Sequence, residues 1–108
     1  MKCCGTNKTR DDFRRQARIH RALANEARLL IVDRLTDCEC SVGELARASA
    51  LDISTVSKHL SVLRAVGIVD NRKQGNTVLY RLLTPCVLEM FACIDRVPIP
   101  GADKENEQ

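Results

Sequence analysis

Leu51-Asp-Ile-Ser-Thr-Val-Ser-Lys-His-Leu-Ser-Val-Leu-Arg-Ala-Val-Gly67 decides how the rest of the chain is read. Val56, Leu60 and Leu63 recur at the i, i+4, i+7 spacing of a buried stripe, so the segment is predicted to be a helix. Asp52 stands at the N-cap position and Gly67 at the C′ position. The opposite face carries Ser54, Thr55, Ser57, Lys58 and His59. Short hydroxyls, an ammonium and an imidazole crowded at a helix start suit phosphates and base edges in a DNA groove. An ordinary amphipathic surface helix has the same pattern, so the flanking segments must decide.

Upstream, Ser41-Val-Gly-Glu44 fits a capping box, which starts a short helix running to about Ser49. Two helices joined by a turn at residues 50–52, the second with the polar face, make a helix-turn-helix. Downstream, Ile68–Lys73 and Thr77–Leu82 are rich in β-branched and apolar residues, and Gln74-Gly75-Asn76 supplies a turn. That predicts a hairpin whose tip carries Arg72, Lys73 and Asn76, a basic wing.

Two further helices are expected before this core. One runs from Asp11 to about Ala24, with Phe13, Ala17, His20 and Ala24 on one stripe. The other runs from Glu26 to about Leu35, capped by Asn25 and presenting Leu29, Leu30, Val32 and Leu35. A last helix follows Pro85, from Cys86 to about Val97, stopped by Pro98 and Pro100. The expected fold is mainly α (α+β): a winged helix-turn-helix of five helices with a two- or three-stranded wing sheet, in a homodimer. Residues 1–10 read as a flexible arm, 11–97 as the DNA-binding and dimerisation domain, and 98–108 as a disordered charged tail.

Composition agrees. A chain of 108 residues, 44% apolar, holds one core, and 3% aromatic content leaves Leu, Val, Ile and Ala to fill it. A net charge of +3 permits a nucleic-acid partner without demanding one. Nothing in the sequence reads as a membrane span or signal peptide, so a cytoplasmic location is expected. No catalytic triad, phosphate loop or carboxylate pair stands out, and the expectation is a protein that is not an enzyme.

Several spaced segments together resemble the arsenic-repressor (ArsR/SmtB) family. They are Ala22-Leu-Ala-Asn-Glu-Ala-Arg-Leu-Leu30, Val42-Gly-Glu-Leu-Ala46, Ser54-Thr-Val-Ser-Lys-His-Leu60, Leu63-Arg-Ala-Val-Gly-Ile-Val69 and Gly75-Asn-Thr-Val-Leu-Tyr-Arg-Leu82. The likeness covers roughly residues 13–95. It implies a homodimeric repressor on a palindromic operator, released by an inducer that is usually a soft metal or metalloid. It implies a dimer interface near Phe13–Ala24 and Cys86–Val97, and carries DNA reading over to Ser54, Thr55, Ser57, Lys58 and His59.

The chain departs from the pattern at four points. Ser49-Ala50 replaces a common Leu-Gly pair, which puts strain on the turn. Ile53 stands where a polar residue is usual. The Cys-x-Cys found in the third helix of thiolate-bearing members would match Ser41 and Gly43 here; this chain has Cys38-Glu39-Cys40 three residues earlier. The last helix also lacks the His and acidic set of the family's interface zinc site.

Six cysteines are many for a reducing compartment, where clustered thiols more often bind metal or do redox chemistry than form disulfides. Cys38 and Cys40 lie in a polar stretch beside Asp37 and Glu39, which core filling explains poorly. Two thiolates are too few for trivalent arsenic, which takes three. If residue 41 pairs with about residue 80, Cys38 approaches residue 83 and hence Cys86. The expected ligands of a thiophilic metal or metalloid are therefore Cys38, Cys40 and Cys86, with Cys93, Cys3 and Cys4 as weaker candidates. Cys93, between Phe91 and Ile94, also reads as a small core hydrophobe. No cofactor is expected to be needed for DNA binding. The same repressor sensing thiol oxidation or persulfide through a cysteine pair is one alternative. A cysteine-rich metal-binding or thiol-redox protein without DNA binding is another, although no Cys-x-x-Cys opens a helix here.

Overall fold

The computed structural model describes residues 7–101. Its elements follow the order α1 (Arg10–Leu23), α2 (Glu26–Leu35), β1 (Cys40–Ser41), α3 (Val42–Ser49), α4 (Ile53–Ala65), β2 (Val69–Gln74), β3 (Thr77–Leu82) and α5 (Val87–Asp95). The strands form one antiparallel sheet in the order β1-β3-β2. This is the winged helix-turn-helix expected from the sequence, with five helices and a three-stranded sheet among the described residues.

Local chemistry sets the boundaries. Asn25 accepts from the backbone N–H groups of Ala27 and Arg28 and starts α2. Ser41 and Glu44 close the capping box that starts α3. Thr9 and Asp12 form a second such box at α1, which the sequence reading did not single out. α4 ends as its glycine foretells: Gly67 takes φ 83°. Its N–H and that of Ile68 donate to the carbonyls of Arg64 and Leu63, the paired bonds of a Schellman turn. The wing turns in two residues, with Gly75 at φ 64°.

Ile31, Val32, Leu45, Val56, Leu60, Leu63 and Val69 are buried at the centre, where α2, α3, α4 and the sheet meet. Two stripes differ from expectation. In α1 the core takes Ala22 and Leu23 with Ile19 beside them, while Phe13 is 51% exposed. In α2 Ile31 is buried and Leu29 and Leu30 lie outward. An apolar stripe read from one helix shows that a face is buried, and a second copy of the chain can bury it as well as the chain's own core can. Cys3, Cys4 and most of the expected arm and tail lie outside the described residues.

Candidate nucleic-acid interface and thiol pair

α4 is held by its inner face and offers the other. Val56, Leu60 and Leu63 are fully buried, while Ser54 and Lys58 are exposed and Thr55 and Ser57 half-buried. At the helix start, the Ser54 hydroxyl donates to Asp52 Oδ2 (3.0 Å) and the Thr55 N–H to Asp52 Oδ1 (3.2 Å). The Thr55 side chain, then the Ser54 hydroxyl and the Thr55 N–H, hold the Asp52 carboxyl below the usual carboxylate range. Ser54 still has two acceptor lone pairs to offer.

His59 is placed differently from the outward position expected of it. It is half-buried on the flank of α4, and its Nδ1 accepts from Arg28 Nε at 3.1 Å. Burial, with the Arg28 guanidinium beside it, pushes its pKa down, so the ring stays neutral at pH 7. Arg28 Nη1 also donates to the Ala22 carbonyl at 3.3 Å. One arginine thus ties the end of α1 and the middle of α4 to α2. His59 therefore helps fix the angle of α4, a role its place beside Lys58 in the sequence did not reveal.

On the wing, Lys73 and Asn76 are exposed near the tip. Arg72 is engaged: its Nε donates to Glu39 Oε1 at 2.7 Å. Glu39 lies between the two cysteines of Cys38-Glu39-Cys40, so the thiol segment holds a cation midway along the wing. No local pattern signals this bond, which joins residues 33 positions apart.

The Cys38 and Cys40 sulfurs are 4.0 Å apart. Cys38 is exposed; Cys40 is buried as the first residue of β1, opposite Tyr80. Burial, then the hydrogen bond and charge of Cys38, push the Cys40 thiol up to about 11. The register pairs Ser41 with Leu79, one residue from the expected partner. The pairing does not gather the three expected ligands: no group of three or more His, Cys, Asp or Glu side chains among the described residues is placed to hold a metal ion. Cys38 and Cys40 line a hollow of about 200 Å³ with Arg34, Asp37 and Glu44. Cys86 lines another, of about 310 Å³, with His20, Thr84 and Met90. The ladder ends at Cys40, so the chain before it is free to turn away from β3. Cys93 is exposed, against its reading as a core hydrophobe.

The comparisons with known proteins agree with this architecture. Residues 25–71 match the family model described as bacterial regulatory protein, arsR family. The chain is 43% identical over 77 residues to the transcriptional activator HlyU of Vibrio cholerae, covering 71% of each chain. The structure of reduced HlyU from that organism superposes with a TM-score of 0.70 at 37% identity, over 82% of this chain and 94% of that one. The transcriptional repressor BigR of Xylella fastidiosa gives 0.67 at 31% identity, over 81% and 93%. A homodimeric winged helix-turn-helix DNA-binding domain from Mycobacterium bovis gives 0.73 at 30% identity, over 87% of each chain. The chain belongs to the ArsR family of DNA-binding transcriptional regulators.

Proposed function

We propose that the chain is a homodimeric repressor that reads a two-fold operator with α4 and the wing, and that leaves DNA when a thiophilic metal or metalloid, such as trivalent arsenic, binds Cys38 and Cys40. The observation that carries the sensing role is the thiol pair itself: two sulfurs 4.0 Å apart, flanking the carboxylate that grips Arg72. Two sulfurs each about 2.3 Å from one ion at a tetrahedral angle stand roughly 3.8 Å apart. The pair therefore fits two corners of a soft-ion site with little movement. A further thiolate has to come from elsewhere: Cys3 or Cys4, or a cysteine of the second protomer. An ion drawing the two sulfurs together shifts Glu39 between them, and with it Arg72, midway along the wing. The BigR and M. bovis relatives, a repressor and a homodimer, support the direction of control and the assembly.

Oxidation of the same pair is the second reading, favoured by the sulfur spacing and by the reduced state in which the HlyU relative is described. It asks for more motion, because a disulfide needs its sulfurs at about 2.05 Å. The test is operator binding by reduced protein, followed by fluorescence anisotropy while arsenite is added, with ultraviolet absorbance reporting thiolate–ion charge transfer. Release in wild type, lost in Cys38→Ser/Cys40→Ser with operator affinity kept, is the expected result. A double variant that still leaves DNA on adding arsenite sinks the assignment. Release by peroxide or polysulfide but not by arsenite selects the redox reading.

A further inference from the structure

A second charged feature lies away from the thiols. A hollow of about 420 Å³ runs between α1 and the C-terminal half of α4, lined by Arg18, Arg21 and Arg28 over a floor of Ala22, Val62, Ala65 and Val66. A smaller hollow of about 200 Å³ adjoins it, sharing Arg18, Ala65 and Val66 and adding Arg15. No carboxylate lines either one. Among the described residues the ion pairs engage Arg14, Arg15, Arg64 and Arg72, and none engages Arg18, Arg21 or Arg28. Arg28 is not a loose surface side chain. Its bonds to His59 and to the Ala22 carbonyl fix the guanidinium at the wall of the hollow, and a guanidinium has five N–H groups, more than these bonds use.

We propose that this groove is a phosphate-binding site. Three guanidiniums converge on one concavity without a counter-charge, and their mutual repulsion is relieved when an oxyanion enters. Guanidinium forks match the oxygens of a phosphate two at a time, and a charge of about −2 suits three cations better than a single carboxylate does. The apolar floor of Val62 and Val66 has no polar side-chain group to compete for the forks. The phosphate has two sources. One is the backbone of DNA lying along α4, which rests on the function proposed above. The other is a free phosphorylated molecule, which does not. In either case Arg28 bonds to His59 on α4, so occupation of the groove is felt by the reading helix.

The test compares the full-length wild type with Arg18→Gln/Arg21→Gln, two exposed substitutions that leave the core untouched. Pyrophosphate is titrated into the DNA-free protein while the backbone amide NMR shifts of Ala22, Val62 and Val66 are followed. The salt dependence of operator binding is measured for both proteins. Saturable shifts in wild type that vanish in the variant establish a free-anion site. No shifts, but a salt slope shallower by one to two units in the variant, assign the groove to the DNA backbone; the slope changes by about 0.9 per phosphate contact. Equal shifts in both proteins, or neither shifts nor a change of slope, overturn the proposal. A wild type that binds no DNA refutes the function proposed above, and the pyrophosphate arm then decides the groove alone.

Discussion

The two halves of the molecule treat apolar side chains in opposite ways. Between α2 and β3 most turn inward: Leu45, Val56, Leu60 and Leu63 have no exposed surface at all, and Leu29, Leu30, Ile53 and Val78 are the large ones left in the open. On α1 and α5 they turn outward: Phe13 is 51% and Ile94 52% exposed, with Leu88, and Val97 just past α5, also in the open. α5 buries Val87 and rests Met90 and Phe91 on the core, a thin hold for a helix of nine residues. The first half is finished by its own chain. In the homodimer proposed above the second is finished by another copy, and the difference then lies in where the partner atoms are, since the residue types are the same.

That contrast is easiest to break with truncations. Leu60→Ala or Leu45→Ala removes a fully buried side chain and leaves a cavity, so each should cost about 2–5 kcal/mol in urea unfolding. Phe13→Ala/Ile94→Ala should leave the fold intact by circular dichroism and weaken association at least tenfold by sedimentation. If the outer pair proves as costly to the fold as Leu60, these helices complete the protomer and the division fails.

The outer face of α4, the proposed DNA side, sharpens the comparison, because apart from Ile53 its outward residues are polar. Lys58→Ala should weaken binding to operator and unrelated DNA alike and flatten the salt dependence by about one unit of slope, as loss of one phosphate contact does. Ser57→Ala should cost specific binding about 1–3 kcal/mol if its hydroxyl meets a base edge. Unchanged affinity in both variants, with the fold intact, rules out this face of α4 as the reader.

Cys40 belongs to the finished half, and its burial has a pH signature. Its folded pKa, about 11, lies above the ordinary thiol value of 9.0. The folded protein therefore holds the proton more tightly than the unfolded chain. The contribution is fully present below pH 9 and is lost as pH rises from 9 to about 11. The loss is on the order of 2 kcal/mol, and Cys40→Ala, which has no thiol to ionise, should lack it. Identical alkaline unfolding curves for wild type and variant would show that Cys40 ionises as freely in the fold as outside it. The same proton opposes a thiophilic ion, so ion affinity should keep rising above the ordinary thiol value of 9.0.

What the sequence disclosed follows from how local each determinant is. The caps at Asn25, Ser41 and Asp52, the end of α4 at Gly67 and the hairpin around Gly75 depend on bonds between residues a few positions apart, and all were legible. The inner stripe of α4 was legible because its three positions repeat with the helix. The long-range pairs were not: Arg28 with His59 and Glu39 with Arg72 join residues 31 and 33 positions apart. These pairs moved His59 to the flank of α4 and engaged Arg72. The expected approach of Cys86 to Cys38 failed for the same reason. It extended a strand register beyond the two residues of β1, where no ladder holds the chain.

The smallest effect concerns two left-handed turns that close neighbouring helices. α4 passes through φ 83° at Gly67, where the absence of a Cβ makes the conformation cheap. α3 passes through φ 59° at Ala50, the one non-glycine residue with positive φ among those described. The alanine Cβ crowds the backbone there and costs roughly 1 kcal/mol. The turn persists because the Ala50 and Leu51 N–H groups both reach the Ala46 carbonyl, and because Asp52 must arrive in place to cap α4. Ala50→Gly relieves the crowding but loosens the unfolded chain, which returns part of the gain. The expected net is stabilisation by about 0.5 kcal/mol, read as a higher urea midpoint at unchanged slope. Gly67→Ala should move the midpoint the other way by roughly 1 kcal/mol, since it creates at α4 the strain that α3 already bears. If Ala50→Gly destabilises instead, the left-handed turn at α3 holds no strain to release.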